Sequence, residues 1–73
     1  MKKYKVEGFS EKMDVEMNLN DIEEVSDLFD AMMESNVYDG AHIMDNETGE
    51  VYCYFRKEIE CGGVKTIYWT VFA

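Results

Sequence analysis

Three side chains in this sequence are of the types that do nucleophilic or metal chemistry: His42, Cys53 and Cys61. An imidazole beside a thiol favours the thiolate, and both groups are zinc ligands. If Met44 pairs with Val51 across a hairpin, His42 falls opposite Cys53. The case ends there. Structural zinc takes four ligands, and only three soft donors are present. Cys61 lies further along the predicted strand, about 26 Å from Cys53 at about 3.3 Å per residue. That separation excludes both a shared metal and an intrachain disulfide. Cys53 sits among alternating apolar residues and reads as a small core side chain. The Asp45–Glu50 segment is acidic, but the position where a calcium-binding EF-hand loop needs glycine is Glu50, so it reads as a turn. No phosphate-binding glycine loop is present. The expectation is a chain without catalytic residues, metal or cofactor.

Charge is the stronger signal. Sixteen acids face seven bases, a formal net charge of −9. Between Lys12 and Arg56 there is no Lys or Arg, while Asp14, Glu16, Asp21, Glu23, Glu24, Asp27, Asp30, Glu34, Asp39, Asp45, Glu47 and Glu50 all fall in that stretch. Such a field repels nucleic acid and anionic membrane and attracts basic surfaces.

The elements that must carry this charge follow from periodicity. Lys3–Glu7 and Lys12–Leu19 alternate polar with apolar residues, as half-buried strands do. A turn at Gly8-Phe9-Ser10-Glu11 sets Lys5 opposite Asp14, Lys3 opposite Glu16 and Glu7 opposite Lys12. A helix follows, capped by Asn20 or Asn18 and running to about Ser35, with Glu23 completing a capping box. Ile22, Val25, Leu28, Phe29, Met32 and Met33 form its apolar stripe. Ala41–Met44 is a strand, Asp45–Glu50 a hairpin loop with Gly49 left-handed, and Val51–Ile59 the next strand. A three-residue turn, Cys61-Gly62-Gly63, leads to the last strand, Val64–Ala73. With Glu60 opposite Val64, Phe55 faces Trp69 and Cys53 faces Val71 on the helix side. The expected fold is α+β: one domain over residues 1–73, a small single-layer antiparallel sheet packed on one helix, in the order ββαβββ.

Two surfaces on this frame are candidates for binding. At 100° per residue, Glu23, Asp27, Asp30 and Glu34 fall in one band opposite the apolar stripe. The band is about 17 Å long, with a carboxylate about every 4–6 Å. Phosphates along one DNA strand recur about every 3.4 Å of axis. Asp30 and Glu34 sit near the negative end of the helix dipole, so helix stability does not account for them. Solubility alone would also produce such a face. The second surface is the side of the sheet away from the helix. In the register above it carries Tyr52, Tyr54, Arg56, Thr66, Tyr68, Thr70 and Phe72, and alternation adds Ile43. Tyrosine and arginine are enriched at interfaces.

The two cysteines are too few for a secreted disulfide scaffold. Lys2, Lys3 and Lys5 lead into Val6-Glu7-Gly8 rather than an apolar run, and the Thr66–Ala73 stretch is too short to span a membrane. A cytoplasmic location is expected. The expected function is a non-catalytic, acidic protein-binding module that presents a DNA-mimic-like carboxylate surface to a basic, nucleic-acid-binding protein, as an inhibitor or modulator. In size and charge alone it resembles the small anti-restriction, anti-CRISPR and repair-inhibitor proteins of mobile elements. The alternative is a self-associating structural or regulatory module, a homodimer through the tyrosine-rich face.

Overall fold

The structure, a computed structural model, describes residues 2–71. The elements are β1 (Tyr4–Phe9), β2 (Asp14–Leu19), α1 (Ile22–Glu34), β3 (Gly40–Asp45), β4 (Val51–Glu60) and β5 (Gly63–Thr70). The five strands form one antiparallel sheet in the order β2-β1-β3-β4-β5, with α1 on one side. This is the α+β architecture and ββαβββ order that the alternation predicts.

Helix α1 is capped by Asp21, not by Asn20 or Asn18. The Asp21 carboxylate accepts the Glu23 N–H at 2.8 Å. A carboxylate there also complements the positive end of the helix dipole. The two asparagines act elsewhere. Asn20 Oδ1 accepts the Lys3 N–H, and Asn18 Oδ1 accepts from Asn46 Nδ2, which also donates to the Lys2 carbonyl. Together they fasten the ends of β1, β2 and β3. At the other helix end the Lys57 ammonium donates to the Ser35 carbonyl. It places a cation where Asp30 and Glu34 are unfavourable.

The core lies between α1 and the sheet: Val6, Val25, Phe29, Met32, Ala41, Ile43, Cys53 and Phe55 are buried. Gly8 belongs to this packing and not to a turn. A Cβ at Gly8 would lie 3.0 Å from the Tyr38 ring and 3.3 Å from Met32 Cε. The strand therefore continues through Phe9, and the loop is Ser10–Met13. Ser10 closes it by donating its N–H and its hydroxyl to the Met13 carbonyl, while Ser10 Oγ accepts the Met13 N–H. Lys5 consequently pairs with Asn18 and Glu7 with Glu16. The three opposite-charge pairs expected from a turn at Gly8-Phe9-Ser10-Glu11 do not form, because the four-residue loop lies two residues further along. Lys5 instead reaches Glu16 diagonally at 3.3 Å.

Two local features reset which side chains share a face. The first is a bulge between β3 and β4. Met44 pairs with Val51, but Ile43 pairs with Cys53 and His42 with Tyr54. The bulge buries Ile43 in the core and leaves His42 on the other face, which favours the apolar side chain. Tyr52 is the extra residue. It packs against the core, with its ring 6.0 Å from that of Tyr4. The second is the β4–β5 turn. It contains two residues, Cys61 and Gly62, with Gly62 at φ 93°. Glu60 pairs with Gly63, one residue from the expected register. Since side chains alternate, a slip of one residue inverts the strand. Thr66, Tyr68 and Thr70 turn to the helix side, and Ile67 and Trp69 turn away from it.

Asp45 is the one buried charged side chain among the described residues. Its Oδ1 accepts the Glu47 and Thr48 N–H groups, and its Oδ2 accepts the Tyr52 hydroxyl at 2.7 Å. The Tyr52 bond, then the two amides, hold the Asp45 carboxyl below its usual pKa. The same bond, with burial, pushes the Tyr52 hydroxyl up to about 12. The signs are opposite. Asp45 contributes stability above the ordinary carboxylate pKa of about 4 and loses it as pH falls through its lowered value. Tyr52 contributes below the ordinary phenol value of about 10 and loses it as pH rises to about 12. Urea midpoints measured against pH should therefore fall at both extremes. Asp45→Asn should flatten the acid limb, and Tyr52→Phe should reduce the loss above pH ~10.

Candidate functional site

The helix stripe is placed as its periodicity implies. Glu23, Asp27, Asp30 and Glu34 are all exposed on the solvent side of α1. None of the four is in an ion pair among the described residues. The nearest structural use of a cation is Lys57, which is committed to the Ser35 carbonyl. Among the described residues the stripe is therefore a row of carboxylates without an ion-pair partner.

The face of the sheet away from α1 differs from its expected composition. Of the residues assigned to it, Tyr54 and Arg56 are there, both exposed. Tyr52 and Ile43 lie with the core because of the bulge, and Tyr68, Thr66 and Thr70 are on the helix side because of the two-residue turn. Phe72 lies outside the described residues. The face is instead built by Phe9, His42, Val51, Tyr54, Arg56 and Trp69, which line an open, apolar groove of about 600 Å³. The Tyr54 and Trp69 rings are 6.0 Å apart, and Phe9 and His42 rings 5.3 Å apart. The Arg56 guanidinium at its border is held 2.9 Å from Glu58. A Glu7 carboxylate oxygen lies 3.3 Å from His42 Nε2, yet this buried nitrogen has no hydrogen bond among the described residues. Phe9, His42, Val51 and Trp69 are additions to the face that alternation predicts. The signal for Trp69 was the preference of hairpins for two-residue, glycine-containing turns.

The register also separates the residues that could have formed a nucleophile and base. His42 is opposite Tyr54 on the groove side, whereas Cys53 faces the core. Burial pushes the Cys53 thiol up, against a 3.0 Å contact with Thr70 Oγ1 and with a smaller upward push from Asp30. A buried thiol of raised pKa is a poor nucleophile. Cys61 is exposed in the β4–β5 turn, and both cysteines are free. Among the described residues no three His, Cys, Asp or Glu side chains converge as a metal site. No described helix is long and apolar enough to cross a membrane.

No protein-family model, curated protein or solved structure matches the chain.

The two thiols should separate cleanly in a labelling experiment. In native protein a thiol-specific reagent should modify Cys61 rapidly and Cys53 only after denaturant is added. One fast equivalent lost in Cys61→Ser would confirm the assignment. Fast modification at both positions would show that Cys53 is not sealed in the core.

Proposed function

We propose that this chain is a non-catalytic acidic module that binds the basic, nucleic-acid-binding surface of another protein and so inhibits or modulates it. The observation that carries this reading is the row Glu23, Asp27, Asp30 and Glu34, exposed along α1 and lacking any ion-pairing partner among the described residues. The helix backbone sets the spacing of the four side chains before binding, so little backbone ordering is spent at the moment of contact. Their spacing is of the order of the phosphate spacing that a DNA-binding cleft is built to meet. Like-charge neighbours cost the isolated helix about 0.2–0.5 kcal/mol per pair, and a cationic partner relieves that cost. The net charge of −9 adds attraction at longer range.

A second reading is favoured by the groove. Phe9, Tyr54 and Trp69 leave aromatic surface exposed on the helix-free face, and such patches on small proteins mark interaction sites. That face can hold a second copy or a partner's side chains while α1 stays free.

Paired variants distinguish the two readings. Asp27, Asp30 and Glu34 changed together to Lys should abolish partner binding and leave the circular dichroism spectrum intact, since all three are exposed. Tyr54→Ser with Trp69→Ser should spare binding if the helix is the contact. If the charge reversal leaves binding unchanged and the groove pair abolishes it, the second reading replaces the first.

A further inference from the structure

The two edges of the sheet are unlike. On β2 the edge strand carries Asp14 and Glu16, charges of the kind that discourage strand addition. On β5 the edge strand is Gly63-Val64-Lys65-Thr66-Ile67-Tyr68-Trp69-Thr70, rich in β-branched and aromatic residues with a single charge. It has no proline and no bulge against β4. The strand is also thinly covered. Val64 is 66% exposed, Tyr68 50% and Trp69 43%. Helix α1 packs over β3, β1 and β2 and leaves this side of the sheet open.

The direction of the β5 backbone groups can be read from its end. The Val71 N–H donates to the Tyr52 carbonyl at 2.8 Å, and the β4–β5 register continues without a shift. In an antiparallel ladder every second residue of a strand bonds the same neighbour. Trp69, Ile67 and Lys65 therefore bond β4, and the N–H and C=O groups of Val64, Thr66 and Tyr68 point outward along the open edge.

We infer that the β5 edge is a self-pairing surface: two copies of this chain join β5 to β5 antiparallel about a two-fold axis at Ile67, making a continuous ten-stranded sheet. This register sets Thr66 opposite Tyr68 of the second copy, so outward backbone groups meet outward groups. It places Lys65 opposite Trp69 of the second copy, an ammonium over an indole face, and Ile67 opposite itself. No like charges are opposed. The strand is complementary to its own reverse, which is what a two-fold interface requires. Charge permits the union. The β4–β5 hairpin from Val51 to Val71 holds three bases and two acids, in a chain of net −9. The acidic helices lie over β1 and β3 of each copy. At about 4.8 Å per strand they stand about 30 Å apart, well beyond the screening length of about 8–10 Å in physiological salt. This pairing uses the sheet edge and the border of the groove at Trp69, and leaves the helix stripe available.

The test is sedimentation velocity from micromolar to millimolar protein, joined to amide exchange. The native chain should pass from monomer to dimer as concentration rises, and the Thr66 and Tyr68 amides should slow in exchange over the same range while β2 edge amides do not. Thr66→Pro removes only an outward donor, as edge strands tolerate, and should give a monomer at every concentration with an unchanged circular dichroism spectrum. Lys65→Glu should weaken the dimer several-fold. A native chain monomeric at millimolar concentration would overturn the inference. So would a dimer that survives Thr66→Pro, or one whose exchange protection falls elsewhere than on β5.

Discussion

One helix of 13 residues must serve a sheet of five strands. That shortage governs the rest of the molecule. Packed over β1, β2 and β3, α1 buries Val6, Ile43 and Phe55 beneath Val25, Phe29 and Met32. Its furthest reach is Phe29, whose ring lies 5.4 Å from that of Phe55 and 6.2 Å from that of Tyr68. Among the described elements, α1 packs chiefly over β3, β1 and β2, which leaves much of β5 and the opposite face of the sheet exposed. A small chain buries only about 60% of its unfolded surface, and here the remainder is gathered into particular places.

Those places differ in physical character. The solvent side of α1 carries carboxylates that make no ion pair among the described residues. The helix-free face is aromatic and apolar around Tyr54 and Trp69. The β5 edge offers backbone hydrogen bonds. The β4–β5 hairpin carries nearly balanced charge, through Arg56–Glu58 at 2.9 Å and the longer Lys65–Glu60 contact at 3.9 Å. Long-range attraction thus belongs to the helix, and short-range contact to the sheet. A partner drawn by the first need not obstruct the second.

Helical periodicity made the acidic stripe legible, because 3.6 residues per turn leaves one way to arrange Glu23, Asp27, Asp30 and Glu34 opposite Val25 and Phe29. The strands and their order of appearance were legible for the same reason. Faces in the C-terminal half were not. Thr66, Tyr68 and Thr70 suit a half-buried sheet as well as Ile67, Trp69 and Val71 do, so composition cannot choose between registers that differ by one. The choice falls to the two-residue turn at Cys61-Gly62. Likewise the bulge at Tyr52 depends on a tertiary bond, Tyr52 to Asp45, that alternation along one strand does not report. The helix cap moved by one residue because Asn20 was already engaged with the first strand.

The central claim is that the carboxylate row on α1 occupies a surface made for nucleic acid. It is tested most directly by immobilising the native domain, capturing proteins from a cell extract, eluting with a salt gradient and repeating the capture with competing duplex DNA. The account predicts a DNA- or RNA-binding protein that is released by salt and displaced by the duplex. Captured partners indifferent to both salt and DNA would contradict it, and would assign binding to the sheet instead.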